Sequence, residues 1–140
     1  KINLVTSVAV LPIHDMRVYA GEVATADILT EGRLILGVAR GAFAWEMARL
    51  GSPIEYSKDK FIESLEVLES LLSKENFSYE GKYYKFDSIT VMPRPISNPF
   101  VTKQVPNRLS EPRCLFMLKS IRKPCDRAYM GLAWGYGISA

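Results

Sequence analysis

The feature that most constrains this chain is a strand, helix, strand pattern at its N-terminal end. Residues Ile2 to Leu11 are rich in β-branched and apolar side chains, which predicts a parallel strand buried on both faces. Asp15 is placed to cap a helix from about Met16 to Leu29, and Gly32 is placed to end it. Because Arg33 to Val38 is a second short apolar segment, the pattern predicts a βαβ unit of an α/β fold.

The middle of the chain predicts a helix and then a β-hairpin. A helix opened by Ser57 would carry one apolar face, made of Phe61, Leu65, Leu68 and Leu72. Glu63, Glu66 and Glu69 are then expected on its solvated face. Aromatic residues alternate on both sides of Glu80-Gly81 between Phe77 and Phe86, which is typical of a hairpin. Three prolines then favour an extended segment that leads to another strand: Pro93, Pro95 and Pro99.

Charge and patterning both change near Phe100. Residues 1–100 carry 11 Lys or Arg against 13 Asp or Glu, whereas residues 101–140 carry 7 against 2. We therefore interpret 1–100 as one domain and 101–140 as an unassigned basic tail, either diverged or translated out of frame. The charge is not interleaved with aromatics on a recognisable module, so nucleic acid is not predicted as a partner. The first residues do not have the pattern of a signal sequence, no apolar run is long enough to span a membrane, and the two cysteines do not suggest a disulfide framework, so we expect a cytoplasmic protein.

Candidate functional residues follow the two predicted strands, because the carboxyl ends of strands carry the site in βαβ architectures. Arg40 comes directly after the second strand, and its guanidinium suits an anion while Gly41 would let a phosphate approach the backbone. Spacing alone leaves a surface Arg as the simpler interpretation. His14, a weak catalytic candidate, follows the first strand and could equally be a polar loop residue that helps Asp15 begin the helix.

The remaining polar and aromatic residues support weaker hypotheses. Phe43 and Trp45 could line a substrate pocket or pack their loop onto the domain. Glu22 and Asp27 lie within a helix and are expected to be solvated or to act as capping neighbours. The single histidine has no metal partners and no neighbouring nucleophile, so neither zinc chemistry nor a catalytic triad is predicted.

Four ordered motifs together resemble the luciferase-like flavin monooxygenases. They are SVAVLPIHD at residues 7–15, EVATADILTEGRLILGVARG at 22–41, WEMARLG at 45–51 and FSYEGKYYKFDSITVMPRPI at 77–96. The resemblance covers about residues 2–98. It implies a (β/α)8 barrel of the TIM type, of which this chain would hold about strands three to five and would therefore be incomplete.

The resemblance also implies a cofactor site and a reaction. Arg40 would hold the phosphate of FMN, and the flavin ring would rest against Ser7 and Val8, which a cis peptide bond would join. Reduced FMN and O2 would oxidise a small organic substrate, with a flavin reductase as a possible partner. Ala39 stands where bacterial luciferase has a reactive Cys, so light emission is not expected.

Two other functions stay open. The chain could belong to a related oxidoreductase that uses the deazaflavin coenzyme as a hydride carrier. It could also be a non-catalytic, truncated product. Because half a barrel leaves sheet edges unpaired, we expect such a chain to form homo-oligomers.

Overall fold

The structure, a computed structural model, describes residues 2–6, 8–97, 100–104 and 115–120. The strands are β1 (Leu4–Val5), β2 (Ala9–Val10), β3 (Leu34–Ala39), β4 (Phe77–Glu80), β5 (Lys85–Ile89), β6 (Phe100–Gln104) and β7 (Leu115–Ser120). The α-helices are α1 (Met16–Leu29), α2 (Ala44–Arg49) and α3 (Ser57–Ser73), and short 3-10 turns occupy Leu11–Ile13 and Ile54–Tyr56. No helix within these ranges is long and apolar enough to cross a membrane.

The predicted βαβ unit is confirmed, but its first strand is interrupted. β1 and β2 both pair in parallel with β3, through Leu4 opposite Leu34 and Val10 opposite Ala39. Between the two pairings the first segment holds one residue more than β3, so the two stretches cannot form one continuous ladder. At the interruption the Thr6 hydroxyl accepts a hydrogen bond from the Gly37 amide at 2.9 Å. A side chain thus takes part in the pairing where the backbone register changes.

The close approach at Gly37 explains why β3 carries a glycine in its middle. A Cβ atom on Gly37 would lie 2.4 Å from the carbonyl oxygen of Thr6, a distance that real Cβ atoms essentially never show. The backbones of the first segment and β3 can therefore meet here only if residue 37 has no side chain.

The expected burial of the first strand on both faces is wrong for β1 and for Val8, although Leu11, at the end of the predicted strand, is fully buried. Leu4 and Val5 are each 48% exposed, and Val8 is 41% exposed. The reason is that β1 has a partner strand only on the β3 side within the described part of the chain. Its composition suits a covered strand, but no described element packs over its outer face.

Helix α1 begins and ends as predicted. The Asp15 carboxylate accepts a hydrogen bond from the amide of Arg17 at 2.9 Å, which satisfies one of the free donors of the first turn. At the other end Gly32 has a φ of 72° and its amide donates to the carbonyl of Asp27 at 2.9 Å. This positive φ is favourable for glycine and closes the helix before β3.

The core lies between α1, α3 and one face of β3. The apolar face predicted for α3 is confirmed, with Phe61, Leu68 and Leu72 buried and Leu65 partly buried against them. Leu36 and Val38 of β3 supply the sheet side of this core, as alternate residues of a strand must. Ser57 does begin α3, although its hydroxyl donates to the carbonyl of Ile54 at 2.7 Å and does not cap the helix.

The predicted hairpin is confirmed as β4 and β5, which pair antiparallel. Its connection covers residues 81–84 and is closed by the Gly81 amide, which donates to the carbonyl of Tyr84 at 2.8 Å. Phe77, Tyr79 and Phe86 form one aromatic cluster and pack against the core. The described part of the segment that follows, up to residue 97, contains no helix and has a cis bond between Met92 and Pro93, and β6 begins at Phe100. Pro99 lies outside the described residues.

Two strands come from the region where the sequence pattern was weakest. β7 pairs antiparallel with β3, and β6 pairs antiparallel with β7, so the sheet is mixed. The apolar run at residues 115–118 therefore begins a strand. An antiparallel neighbour beside β3 departs from the all-parallel sheet of a (β/α)8 barrel. Both cysteines and the rest of the predicted tail lie outside the described residues.

The buried face of α3 should carry much of the stability of this domain. We expect Leu68→Ala to lower the free energy of unfolding by about 2–5 kcal/mol, because it opens a cavity beneath a fully buried side chain. Urea denaturation of the full chain measures this difference. Ile62→Ala is the matched control on the same helix, where the side chain is 57% exposed, and should cost less than about 0.5 kcal/mol. Equal losses in both variants would contradict the assignment of the core.

Candidate functional site

The ends of β2 and β3 lie side by side, which brings two of the predicted site segments together. Val10 pairs with Ala39, and Arg40 follows directly. Gly41 has a φ of 93°, and a Cβ there would lie 2.5 Å from the sulfur of Met47 and 3.0 Å from Val10. The absent side chain of Gly41 therefore makes room for Met47 and Val10, a packing role where the sequence suggested access for a phosphate.

Arg40 is a partly buried cation without a described counter-charge. Within residues 2–6 and 8–97, no hydrogen bond or ion pair holds its guanidinium. A guanidinium presents five N–H donors in a planar array, and these donors suit a phosphate or carboxylate. Arg40 thus has the position after β3 and the charge that the sequence analysis expected of a residue that binds an anion.

Phe43 and Trp45, the predicted pocket residues, lie on the segment that follows Arg40. Their ring centroids are 6.4 Å apart, and the side chains are 60% and 63% exposed. The guanidinium carbon of Arg49 lies 5.6 Å from the centroid of the Trp45 ring. Neither aromatic residue lines the cavity described below, so they form an exposed aromatic pair near the end of β3.

The predicted ring-contact residues are only partly described. Val8 lies just before β2 and is 41% exposed. Ser7, and with it the predicted cis bond between Ser7 and Val8, lies outside the described residues. Their proposed contact with a flavin ring therefore stays a prediction.

The contacts of His14 are with Tyr19 and Tyr84 and not with the residues at the ends of β2 and β3. Its ring stacks on Tyr19 with centroids 4.7 Å apart, and its carbonyl accepts a 3.5 Å hydrogen bond from the hydroxyl of Tyr84. Burial of Tyr19, together with the charge of Glu22, raises the pKa of its phenol to about 12. No described Ser or Cys nucleophile is joined to His14, and the described residues hold no cluster of potential metal ligands.

The sequence did not predict a cavity of about 320 Å³ that has His14 on its wall. It lies between the turn after β2, the start of α3 and the hairpin loop. Its lining comprises Pro12, Ile13, His14, Asp15, Arg17, Leu50, Lys60, Tyr83, Tyr84, Lys85 and Phe86. Burial lowers the pKa of Lys60, and hydrogen bonding to Arg17 lowers the pKa of Asp15.

Glu63 fixes the hairpin loop that forms one wall of this cavity. One carboxylate oxygen of Glu63 accepts hydrogen bonds from the amides of Tyr83 and Tyr84, at 2.9 and 3.0 Å. The hydroxyl of Tyr84 adds a 2.8 Å hydrogen bond to Ser64 on the same helix. The expectation that Glu63 lies on a solvated face is therefore wrong, because the hairpin folds back over that face of α3. No helical or strand period relates residues 63 and 83, so the sequence carried no signal for this contact.

Asp27 also departs from its predicted role. Its side chain is fully buried, and one carboxylate oxygen accepts a 2.8 Å hydrogen bond from the amide of Ser97. The other oxygen and the Ser97 hydroxyl are buried without a partner among the described residues. Asp27 thus ties the segment after the hairpin to the end of α1, where the sequence suggested a solvated or capping residue.

Removal of the Glu63 carboxylate should release the hairpin loop. We expect Glu63→Ala to destabilise the loop by about 1–3 kcal/mol, because two amides lose a charged acceptor. Hydrogen exchange at the Tyr83 and Tyr84 amides is the measurement, and both should exchange faster. Glu75→Ala is the control, since Glu75 is exposed and just beyond α3. Unchanged protection in Glu63→Ala would show that the loop does not depend on this carboxylate.

The raised pKa of Tyr19 predicts a loss of stability in alkali. The phenol of Tyr19 has a pKa near 10 in the unfolded chain and about 12 in the folded one. Its contribution to folding stability is therefore fully present below pH 10 and is lost as the pH rises to 12. The measurement is the thermal stability of the wild-type protein and of Tyr19→Phe at a series of pH values from about 9 to about 12. The variant should lose less stability across it than the wild-type protein. An identical pH dependence in both would contradict the assignment, and Tyr56→Phe, an exposed tyrosine, serves as the control.

Known proteins are similar to this chain over most of its described residues. A family model of luciferase-like monooxygenases matches residues 1–106. The chain is 30% identical, over 70% of its length, to the oxygenase component of a flavin-dependent trigonelline monooxygenase from Acinetobacter baylyi, and covers 28% of that protein. It is 31% identical, over 57% of its length, to an FMNH2-dependent dimethylsulfone monooxygenase from Pseudomonas putida, and covers 23% of it.

Solved structures show the same likeness. The monooxygenase RslO1 from Streptomyces bottropensis matches 71% of this chain with a TM-score of 0.68 and 26% identity, over 30% of its own chain. The oxygenating constituent of 3,6-diketocamphane monooxygenase from Pseudomonas putida, in complex with FMN, matches 63% with a TM-score of 0.58 and 25% identity, over 25% of its own chain. This chain therefore spans less than a third of the length of each of these proteins. With the family model matching residues 1–106, the chain belongs to the luciferase-like monooxygenase family.

Proposed function

We propose that this chain is part of an FMN-dependent monooxygenase that oxidises a small organic substrate with O2. The observation that carries the proposal is Arg40, a cation without a described partner that follows β3 beside the end of β2. Two relatives are named as flavin- or FMNH2-dependent monooxygenases, and one structural neighbour holds FMN. These names support FMN as the cofactor here and O2 as its co-substrate.

The residues at the strand ends fit the group that they would hold. Arg40 would bind the phosphate of FMN through charge-assisted hydrogen bonds, while Ser7 and Val8 would border the ring. The exposed pair of Phe43 and Trp45 would help to exclude water from the substrate once the site is covered. When bound, reduced FMN supplies the electrons and the oxygen chemistry, and the protein positions the reactants.

The proposal extends to the architecture. We infer that residues 1–100 form about strands three to five of a (β/α)8 barrel and that 101–140 lie outside the barrel pattern. The half-exposed Leu4 and Val5 support further strands beside β1, since their side chains suit a covered strand. The family match ends at residue 106 and the antiparallel β7 begins beyond it, which supports a boundary shortly after residue 100.

The partners follow from the same proposal. One relative is described as an oxygenase component, which supports a separate flavin reductase as the source of reduced FMN. The exposed edge of β1 supports a homo-oligomer when the chain is alone, and we also propose a cytoplasmic location.

The test is FMN binding by an Arg40→Ala variant. In the intact enzyme we expect the affinity for FMN to fall by about 1–3 kcal/mol, because a charge-assisted hydrogen bond to phosphate is lost. Fluorescence titration with FMN measures the change. Arg49→Ala is the control on the neighbouring helix, where the guanidinium lies over Trp45, and it should bind FMN as the wild-type protein does.

Two results would contradict the proposal in different ways. Unchanged FMN affinity in Arg40→Ala would remove Arg40 from the site. Tight binding of the deazaflavin coenzyme with no binding of FMN would contradict the monooxygenase function and support the related oxidoreductase that transfers a hydride.

A further inference from the structure

We propose that the cavity between the turn after β2, the start of α3 and the hairpin loop binds a small organic monoanion, with its carboxylate on Lys60. The cavity measures about 320 Å³, a size typical of small-ligand sites. The inference is independent of the proposed flavin chemistry, because neither Arg40 nor the aromatic pair Phe43 and Trp45 lines this cavity.

The charges of the lining favour one negative charge on the ligand. Arg17 is paired with Asp15, and Lys85 is paired with Glu80, so these cations already have carboxylate partners. Lys60 has no ion pair among the described residues, and its ammonium group donates only a long, 3.4 Å hydrogen bond to the hydroxyl of Ser52. One cation in the cavity wall therefore lacks a counter-charge.

The surroundings of Lys60 strengthen its attraction for an anion. Ser52 is buried and Lys60 itself is partly buried, so the ammonium is incompletely solvated and its pKa is lowered. A carboxylate within the cavity would replace the missing solvation, and the interaction between the two charges would be stronger there than in open water. Hydrogen bonds to charged groups are also the stronger class of protein hydrogen bonds.

The hairpin loop that forms one wall of the cavity is held in place whether or not a ligand is present. Glu63 accepts hydrogen bonds from the amides of Tyr83 and Tyr84, at 2.9 and 3.0 Å. A ligand would therefore meet a wall that is already formed.

The rest of the lining suits an apolar ligand body. Ile13, Leu50 and Phe86 provide hydrocarbon surface beside the charged groups. A free inorganic ion would leave this surface in contact with water, whereas a small aromatic or aliphatic acid would cover it. The ligand class is therefore an organic carboxylate with a compact apolar part.

Isothermal titration of the full chain with benzoate tests the inference. Benzoate should bind saturably at one site. Benzamide has the same ring without the charge, and acetate has the charge without the ring, so both should bind at least about tenfold more weakly. Absence of saturable benzoate binding, or equal binding of benzamide, would overturn the proposal.

Three variants locate the site. Lys60→Met should weaken benzoate binding about 10- to 100-fold, since it removes a hydrogen bond between charged groups, whereas Lys60→Arg should retain binding. Lys58→Met removes the same charge from an exposed position on α3 and should leave the affinity unchanged. Thermal unfolding of each variant separates loss of binding from loss of structure, and equal effects of Lys60→Met and Lys58→Met would contradict a defined site.

Discussion

The parallel pairing of β3 with the two stretches before α1 is the interaction on which the rest of this structure depends. It places the carboxyl ends of β2 and β3 side by side, and it requires the βαβ connection through α1. The pairing is possible only because Gly37 has no side chain where Thr6 crosses it. The position of Arg40, and with it the proposed phosphate contact, follows from this register.

Helix α3 also organises the structure, because the core packs on one of its faces and the hairpin packs on another. Its apolar face closes the core with Phe61, Leu68 and Leu72. Its polar face receives the hairpin through Glu63 and Ser64, and this contact creates the wall of the cavity that contains Lys60. The same helix thus links the stability of the domain to the shape of a candidate binding site, because the hairpin strands alone would be too short to hold their own fold.

Arg40 and Lys60 show two ways in which a cation can mark an anion site. Arg40 was identified from its place after a strand, and the family resemblance assigned its ligand. Lys60 was not identified from the sequence, since it looked like one lysine among the polar residues of an amphipathic helix. What distinguishes it is that the neighbouring cations have carboxylate partners and it has none among the described residues. Pairing between side chains that are distant in sequence is a property of the folded chain.

The sequence by itself determined the local elements and the family. Caps, glycines and apolar periods located α1, β3, α3 and the hairpin, because these signals act within a few residues of one another. The tertiary structure alone decided the break between β1 and β2, the burial of Asp27 and the use of Glu63 by the hairpin loop. Each of these depends on a segment that returns from 20 to 70 residues away, so neither propensity nor periodicity could encode it.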